Sequence, residues 1–305
     1  MLVCQHMSEV YQELQSQLGE VSQNEKLAPF TSFKIGGPAQ YFFSAKTNED
    51  LIKSVKLAIS LSIKYFILGN GSNILISDKG FPGLVIKQDN MKISYDGTLV
   101  TAASGVRLQK LVRDVVEHNL TGLEYLIGIP GTIGGGVAGN VGTPQEGQWI
   151  NEHIVSVEIL DSRREIAEIL KASCDFSYRN SRFKKVDNEL IVSAKFELRK
   201  STRSSIDENI KNFLRKRSHQ PINLPCAGSI FKNPTKKKSW KLIDDAGLRG
   251  KKIGGAQVSE EHTNFIVNAG EATAEDVVIL ISYIKQQIRD KYRVQLQEEI
   301  KYIGF

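Results

Sequence analysis

The chain has 305 residues, of which 41% are hydrophobic and 24% are charged, so it can build a buried core and is not globally disordered. Its length predicts about two domains. No apolar run approaches the roughly 20 residues of a membrane-spanning helix. The first residues, MLVCQHMSEV, lack the basic and apolar segments of a secretory signal. We expect a cytoplasmic protein that does not enter a membrane. Met7 is an alternative start, which leaves open whether residues 1–6 are native.

The cysteines and histidines are few and scattered. The three cysteines form no CxxC pair, and the five histidines show no metal-ligand spacing. They are Cys4, Cys174 and Cys226, and His6, His118, His153, His219 and His262. The pattern predicts neither a disulfide scaffold nor a metal site, so difficult chemistry here would require an organic cofactor or acid–base side chains.

The net charge of +6 is concentrated in one segment. Residues 211–252 hold twelve Lys or Arg against two Asp, a net +10 in 42 residues. The basic residues are Lys211, Arg215, Lys216, Arg217, Lys232, Lys236, Lys237, Lys238, Lys241, Arg249, Lys251 and Lys252. This basic block favours a polyanionic partner, either nucleic acid or a small molecule with phosphates. A solvated basic face is the alternative interpretation.

Apolar periodicity and capping residues predict the first elements. An opening helix is expected over residues 8–23. Thr47 and Asp50 form a predicted capping box for a second helix, and apolar residues at helical spacing predict a third over 107–119. Strands are expected at 31–43, where a Gly-Gly-Pro turn interrupts the strand, and at 65–68, 84–87, 154–160 and 190–198.

The character of the sequence changes after Lys200, and we place a domain boundary near residue 203. Thr273 and Asp276 form a second predicted capping box. The elements predicted beyond the boundary are helices at 206–216, 239–246 and 273–291, and strands at 264–268 and 294–303.

Two glycine-rich segments are the main candidates for a ligand site. The first glycine loop is residues 69–73 (GNGSN), and the second is residues 122–142, where eight of 21 residues are glycine. Glycine lets backbone N–H groups approach a phosphate with no Cβ in the way, and Ser72 and Asn73 add side-chain donors. Two such loops could clamp the two phosphates of one dinucleotide, an interpretation that we favour over two structural turns.

Residues 134–139 also fit the pattern GxGxxG, but their context does not suit a Rossmann unit. That fingerprint leaves a strand and opens a helix. Here Gly-Ile-Pro-Gly precedes it, and the segment that follows has no apolar stripe. No Lys-Ser/Thr follows the glycines, which excludes a P-loop. The sequence therefore predicts neither a Rossmann helix nor a P-loop at this position.

Seven segments occur in an order that resembles one family of flavoenzymes. They are TSFKIGGPA, LGNGSNILI, GLEYLIGIPGTIGG, YRNS, PCAGSIFKNP, WKLIDDAGLRGKKIGGAQVSEEHTNFIVNAG and LQEEIKYIG. Together they resemble the UDP-N-acetylenolpyruvoylglucosamine reductases, which use FAD and NADPH to complete UDP-N-acetylmuramate in peptidoglycan synthesis. The resemblance covers residues 26–305. Only 50 residues separate Arg179 from Ser229, which is typical of the shorter class without an extra substrate loop.

The resemblance implies an α+β fold of the vanillyl-alcohol-oxidase (PCMH) type, in which two subdomains hold FAD and a C-terminal α+β domain covers the substrate. The divisions expected are an N-terminal helix or tail at 1–25, an FAD-binding domain at 26–203 with subdomains of about 26–90 and 91–203, a substrate-binding domain at 204–293, and a final strand at 294–305 that returns to the first subdomain.

Reduction of an enolpyruvyl ether needs hydride at one carbon and a proton at the next, while negative charge develops on the carboxylate. By resemblance, Ser229 is the proton donor and Arg179 holds the carboxylate with its planar fork. Glu299 matches the catalytic Glu of the family. On a strand, Glu298 and Glu299 would face opposite ways, so one would point inward while the other is solvated.

The resemblance also implies binding residues. Those expected to bind cofactor are Gly69, Asn70, Gly71, Ser72, Asn73, Pro130, Gly131, Thr132, Gly135 and Asn140, and those expected to bind the UDP-sugar are Lys232 and Asn233. FAD is expected to be non-covalent, because neither glycine loop contains a His or Cys to attach it. We expect no metal, no nucleic acid and no membrane partner. The oligomeric state is open, with a monomer favoured.

Three features depart from the family pattern. The second loop reads GGGVAGNVG where Met-Asn-Ala-Gly is usual, Gln297 replaces an acid, and Cys226 replaces a serine. Two other functions also stay open. Another FAD-dependent oxidase or dehydrogenase of the same fold would use an aromatic or His base, which we cannot place. A nucleic-acid-binding protein would use the basic block, which lacks the interleaved aromatic residues of single-strand binders.

Overall fold

The computed structural model describes residues 2–144, 146–186, 189–218, 220–221, 223–235 and 237–305, with side chains from residue 8 onward. Among the residues singled out above, His219 and Lys236 lie outside the described residues, as do the side chains of Cys4 and His6.

Seven α-helices fall within the described ranges: α1 (Leu2–Leu18), α2 (Asn48–Ser60), α3 (Leu108–Glu117), α4 (Ile133–Ala138), α5 (Arg203–Lys216), α6 (Ser239–Asp245) and α7 (Ala274–Tyr292). The strands in the same ranges are β1 (Val21–Lys26), β2 (Pro38–Ala45), β3 (Tyr65–Leu68), β4 (Ile74–Ile76), β5 (Phe81–Gln88), β6 (Ile93–Asp96), β7 (Leu99–Ala103), β8 (Leu120–Thr121), β9 (Gly142–Thr143), β10 (Gln148–Trp149), β11 (Ile154–Leu160), β12 (Ile166–Leu170), β13 (Leu190–Glu197), β14 (Arg199–Lys200), β15 (Cys226–Ser229), β16 (Lys252–Ile253), β17 (Ala256–Val258), β18 (Phe265–Asn268) and β19 (Lys301–Ile303).

Internal contacts divide the chain into two compact units, each assembled from three segments. Unit 1 comprises Met1–Val21, Phe43–Gly69 and Ile86–Arg217. Unit 2 comprises Ser22–Phe42, Asn70–Val85 and Ser218–Phe305. The chain passes between the units within strands β2 and β5. The domain boundaries predicted from the sequence, at residues 25, 203 and 293, stay a prediction.

Unit 1 is built on an antiparallel sheet of order β12-β11-β13-β7-β6. Helix α3 confirms the prediction for 107–119: its apolar positions recur at helical spacing, and the five residues of that stripe are all buried. The stripe, together with Ile133, Val137 and Ile206, forms one hydrophobic core with the inner face of the sheet. Helix α2 also confirms its prediction, since Thr47 and Asp50 make both bonds of the capping box at 3.0 Å.

Unit 2 is built on an antiparallel sheet of order β15-β18-β17-β16, on which α6 and α7 contribute to a second core. Helix α7 begins at the predicted capping box, where the Asp276 carboxylate accepts from Thr273 N at 3.0 Å. This backbone hydrogen bond helps to hold the pKa of Asp276 below its usual value. Strand β19 runs parallel to β4, with Lys301 opposite Ile74.

The structure corrects several sequence-based predictions. Helix α1 ends at Leu18 rather than at residue 23, because Gly19 adopts a φ of 82° and β1 follows. A helix, α4, does form in the glycine-rich segment, where Thr132 caps it and Ile133 and Val137 are buried. Strands β6, β7 and β12 were not predicted. Among the described helices, none is long and apolar enough to cross a membrane.

The last predicted strand is also shorter than expected. Regular pairing begins at Lys301 rather than at residue 294. Before it, Arg293 adopts the left-handed conformation that ends α7, and Glu298 forms only an isolated bridge with Phe231. Glu298 and Glu299 therefore lie in an irregular segment beside β15, and the strand alternation that we used to separate them does not apply there.

Candidate functional site

The first glycine loop follows β3 and is shaped by close approaches of the backbone. In unit 1, a Cβ added at Gly69 would lie 2.8 Å from Thr132 Oγ1. In unit 2, Gly71 has a φ of 60°, and a Cβ there would overlap Phe30 O. These close approaches favour glycine at both positions, and within unit 1 Gly69 lies against Thr132 of the second loop. Asn70 and Ser72 lie in the same loop.

The second glycine loop turns into α4 at Thr132. This buried side chain accepts from Gly135 N at 3.5 Å, and Gly131, which follows Pro130, has a φ of 145°. Gly135 is exposed, and a Cβ added there would meet only Thr132 Oγ1, at 3.8 Å. The main chain at Gly135 is therefore open to a ligand, next to the approach of Gly69 to Thr132.

Arg179 lies at the tip of a tight turn that the end of α4 anchors on both sides. Ser177 and Asn180 exchange backbone hydrogen bonds of 3.0 and 3.1 Å, and Arg179 has a φ of 56°. Asn140 Nδ2 donates to Ser177 O at 3.1 Å. Ser181 Oγ donates to Ala138 O at 2.8 Å. We call residues 177–181 the arginine turn.

Asn140 therefore uses its amide group within the protein. Its Nδ2 bonds the arginine turn, and its Oδ1 accepts from Asn151 N at 3.3 Å. The side chain is buried. These contacts within unit 1 hold the turn that carries Arg179, and the expectation that Asn140 also binds cofactor stays a prediction.

The arginine turn is strongly cationic. The Arg179 guanidinium lies 5.9 Å from the centroid of the Trp149 ring. Burial and repulsion from Arg179 lower the pKa of Arg217, while Glu146 opposes the shift. Glu146 also pairs with Lys216 at 3.3 Å. Arg179, Arg217 and Lys216 thus give this region an excess of positive charge over the carboxylate of Glu146, which is an arrangement that attracts an anion.

Sequence reasoning placed Arg217 in the basic block but not in the site. Its Nε is buried, and within the described part of the chain no group accepts a hydrogen bond from it. The only signal in the sequence was the local excess of Lys and Arg.

Ser229 ends β15 at an irregular point in the pairing with β18. Cys226 pairs with Val267 and Ser229 with Phe265, with a register shift between them, and Gly228 adopts a φ of 74°. Ser229 is half-buried. Among the described residues, none forms a hydrogen bond with its hydroxyl group, so the group is available to a ligand.

The residues after Ser229 are firmly held. Ile230 N donates to Asn264 O at 2.8 Å. The buried Asn264 carboxamide also bonds both backbone groups of Phe231, accepting from its N at 3.1 Å and donating to its O at 2.9 Å. Asn264 is a second residue that sequence reasoning did not single out.

Glu299 lies beside this strand through main-chain contacts. Glu299 N donates to Ile230 O at 2.7 Å. Asn73 Nδ2 donates to Glu299 O at 3.1 Å, so this donor, which the sequence assigned to the cofactor, also holds the acidic segment. Glu298 is engaged elsewhere, because its Oε1 pairs with Lys285 Nζ of α7 at 2.8 Å. The two acids therefore have different surroundings although they do not lie on a regular strand.

The two residues expected to bind substrate follow β15 directly. Lys232 N donates to Gln297 O at 2.9 Å, and Lys232 O accepts from Ser239 Oγ at 2.6 Å. Asn233 Oδ1 accepts from Ser239 N at 3.0 Å, which ties the segment to the start of α6. Unit 2 thus brings Ser229, Glu299, Lys232 and Asn233 together around the first loop.

Burial raises the pKa of the Cys226 thiol, which the Gly228 backbone only partly offsets. This cysteine is therefore a weakly reactive neighbour of Ser229 at neutral pH. Across the described residues, no group of three or more His, Cys, Asp or Glu side chains has the arrangement of a metal site.

Two family models match the chain. Residues 39–169 match an FAD binding domain, and residues 220–303 match the C-terminal domain of UDP-N-acetylenolpyruvoylglucosamine reductase. The reductase of Carboxydothermus hydrogenoformans is 39% identical over 93% of this chain and 94% of its own. That of Anoxybacillus flavithermus is 40% identical over 95% of this chain and 97% of its own.

A solved structure of the reductase from Thermus caldophilus matches with a TM-score of 0.79 and 30% identity, over 93% of this chain and 98% of that one. The fold is the α+β FAD-binding fold of the vanillyl-alcohol-oxidase type, and the chain is a flavoprotein oxidoreductase. Within that class, the chain belongs to the UDP-N-acetylenolpyruvoylglucosamine reductase family. The resemblance found in the sequence is confirmed. The exposed main chain at Gly135, where no side chain stands in the way, fits a phosphate group such as those of FAD.

Proposed function

We propose that the protein reduces the enolpyruvyl ether of UDP-N-acetylglucosamine enolpyruvate with NADPH, and so forms UDP-N-acetylmuramate for peptidoglycan synthesis. The observation that carries this proposal is the 2.7 Å hydrogen bond from Glu299 N to Ile230 O, because it sets the acid segment against the strand of Ser229. A hydroxyl beside a carboxylate segment is suited to deliver one proton to carbon.

Bound FAD supplies the transfer of hydride from NADPH to the terminal carbon of the enolpyruvyl group. Gly69, Thr132 and Gly135 would hold its phosphates through the main chain. The other cofactor-binding residues proposed are Asn70, Gly71, Ser72, Asn73, Pro130, Gly131 and Asn140. Neither glycine loop has a His or Cys, which supports non-covalent attachment.

Arg179 would bind the substrate carboxylate. Its guanidinium can offer two parallel donors to a carboxylate, and the hydrogen bonds that anchor the arginine turn hold its backbone in place. Charge that develops on the carboxylate during the reaction is stabilised by this fixed cation.

Ser229 would donate the proton to the carbon that bears the ether oxygen. A free serine is a weak acid, so proton donation depends on the orientation of the Ser229 hydroxyl toward the carbon and on charged groups nearby. Glu299, held against Ile230, is proposed as the catalytic carboxylate. Lys232 and Asn233, which follow at the start of the next segment, would bind the UDP-sugar.

We propose that the protein acts in the cytoplasm in cell wall biogenesis, with the oligomeric state open and a monomer favoured. Loss of the enzyme would then affect cell shape, cell division and the cell cycle. No nucleic acid, membrane or metal partner is part of this proposal.

One experiment tests the proposal against its alternatives. The purified protein should be yellow, should release all its flavin on boiling, and should oxidise NADPH rapidly only when the enolpyruvyl substrate is present. Fast oxidation by oxygen with an alcohol or hydroxy acid would instead favour an oxidase. A colourless protein that binds RNA with strong salt dependence would indicate a nucleic-acid-binding role for the basic block.

A further inference from the structure

Ser32 has no role in the site as proposed, yet it joins the first glycine loop to the strand of Ser229. Its Oγ lies 2.6 Å from Cys226 O and 3.2 Å from Gly71 O. Its backbone adds two bonds, from Ser32 N to Gly71 O at 3.1 Å and from Cys226 N to Ser32 O at 3.2 Å. A hydroxyl has one proton to donate, and the shorter contact assigns it to Cys226 O.

The hydrogen bond from Ser32 to Cys226 lies just before Gly228, a residue with a flexible backbone that precedes Ser229. Gly228 lies between Cys226 and Ser229 with a φ of 74°, and the pairing of β15 with β18 is irregular across it. Glycine adopts many backbone conformations at little cost, so it does not by itself fix the residue that follows. The position of Ser229 therefore depends on what holds the chain on each side of Gly228.

The two sides are held by different residues. After Ser229, Asn264 bonds Ile230 and both backbone groups of Phe231. Before Ser229, Ser32 holds Cys226 through both its backbone and its hydroxyl group. Removal of the hydroxyl frees Cys226 O, the carbonyl nearest to Gly228 that Ser32 holds, while Cys226 N keeps its bond to Ser32 O, Cys226 stays paired with Val267, and the bonds from Asn264 after Ser229 stay intact. The backbone at Gly228 then has more freedom to move.

We propose that Ser32 is a positioning residue that aims the Ser229 hydroxyl, and that it does so while its backbone also bonds Gly71 of the loop expected to bind FAD. The inference rests on the proposed function. The Ser32 hydroxyl contacts main-chain oxygens and has no role in the transfer of hydride. Its effect should therefore fall on the proton-transfer step alone. The cofactor loop keeps its bond from Ser32 N to Gly71 O in any side-chain variant.

The test compares Ser32→Ala with Ser32→Thr, which restores a hydroxyl, and with Ser54→Ala. Ser54 is buried in α2 and donates only to Leu51 O, so this control measures the general cost of losing a serine hydroxyl. Stopped-flow absorbance measures bleaching of the flavin band by NADPH, and then its recovery when the enolpyruvyl substrate is added. Fluorescence titration gives the FAD dissociation constant.

We expect the FAD dissociation constant of Ser32→Ala to lie within about threefold of that of the wild type. NADPH should bleach its flavin band at a similar rate. Recovery with substrate should slow by about tenfold to a hundredfold, the size of effect expected from a misaimed group. Ser32→Thr should recover most of that loss. Amide exchange in the peptide that covers residues 226–231 should be faster in Ser32→Ala than in the wild type or in Ser54→Ala.

Equal slowing of both steps, or loss of FAD binding in Ser32→Ala, would mean that the residue is structural, and the inference would be wrong. Unchanged recovery and unchanged exchange would also overturn it. If the wild type itself fails to reduce the enolpyruvyl substrate, the proposed function fails, while the exchange measurement still reports whether Ser32 tethers β15.

Discussion

Each of the two glycine loops fixes side chains expected to act in catalysis, but they reach them over different distances along the chain. The second loop holds the arginine turn through Asn140 and Ser177, which are 37 positions apart. The first loop holds the segment of Glu299 through a contact that spans 226 positions, and Ser32, which bonds Gly71 of that loop, holds the segment of Ser229 across 194 positions. A cation is thus fixed by nearly local structure, whereas the acids depend on the assembly of unit 2.

The largest expected effect tests the acid side of this comparison. Ser229→Ala should keep FAD and bleach with NADPH at a near-normal rate. The step that needs a proton should slow by roughly 10²–10⁴-fold, the contribution of a positioned general acid. Stopped-flow measurements with each substrate alone separate the two steps. Equal slowing of both steps would instead identify Ser229 as structural.

A second prediction separates the neighbouring acids. Glu299→Gln should lower turnover at least tenfold, because a catalytic carboxylate contributes on that order or more. Glu298→Gln, which replaces the half-buried pair with Lys285 by a neutral hydrogen-bond acceptor, should change it by less than about threefold, since Glu298 is engaged with α7 and not with the strand of Ser229. Steady-state kinetics of the two variants decide the question. Similar losses would show that the assignment of Glu299 is wrong.

The third prediction tests the cation side. Ser181→Ala removes one anchor of the arginine turn, a net loss of about 1 kcal/mol by the usual worth of a hydrogen bond. The KM for the enolpyruvyl substrate should rise by roughly fivefold, while flavin content and bleaching by NADPH stay normal. Ser54→Ala is the matched control. An unchanged KM would show that Asn140 alone fixes the turn.

The smallest effect concerns Cys226. Its raised pKa means that less thiolate exists at neutral pH than in a free cysteine, so alkylation should be slow at pH 7 and should accelerate well above pH 8.5, the usual thiol pKa. Substrate should protect the thiol, and Cys226→Ser should remain active. Mass spectrometry of the modified peptide checks the site. Low activity of Cys226→Ser would assign the thiol a chemical role.

The sequence predicted the elements whose signals are local. Helices α2 and α7 carry capping boxes, and α3 has an unbroken apolar stripe, so each could be located within a few residues. Strands β6 and β7 carry weaker alternation and were missed. The end of α1 was misplaced because Gly19, with a φ of 82°, ends the helix although the helical pattern in the sequence continues beyond it.

For the candidate site, the sequence indicated residue types but not their partners. Ser32 and Asn264 look like ordinary polar residues of a turn and a strand, because hydrogen bonds to distant main chain leave no pattern in the sequence. The same limit applies to Asn73 and Asn140, whose amides were assigned to the cofactor and which bond protein backbone in the structure. Family resemblance supplied Ser229, Arg179 and Glu299, and their roles stay predictions.

The contacts of the first loop with distant parts of the sequence also affect the order in which the chain folds during translation. Segments so far apart in sequence must close large chain loops before their contacts form, which slows folding. On a ribosome, the contacts around Arg179 can form once residue 217 has emerged, whereas Asn73 waits for Glu299 and β4 waits for Lys301. An interrupted translation product would therefore carry the arginine turn without the acids, and its exposed apolar surface would make it a client of chaperones.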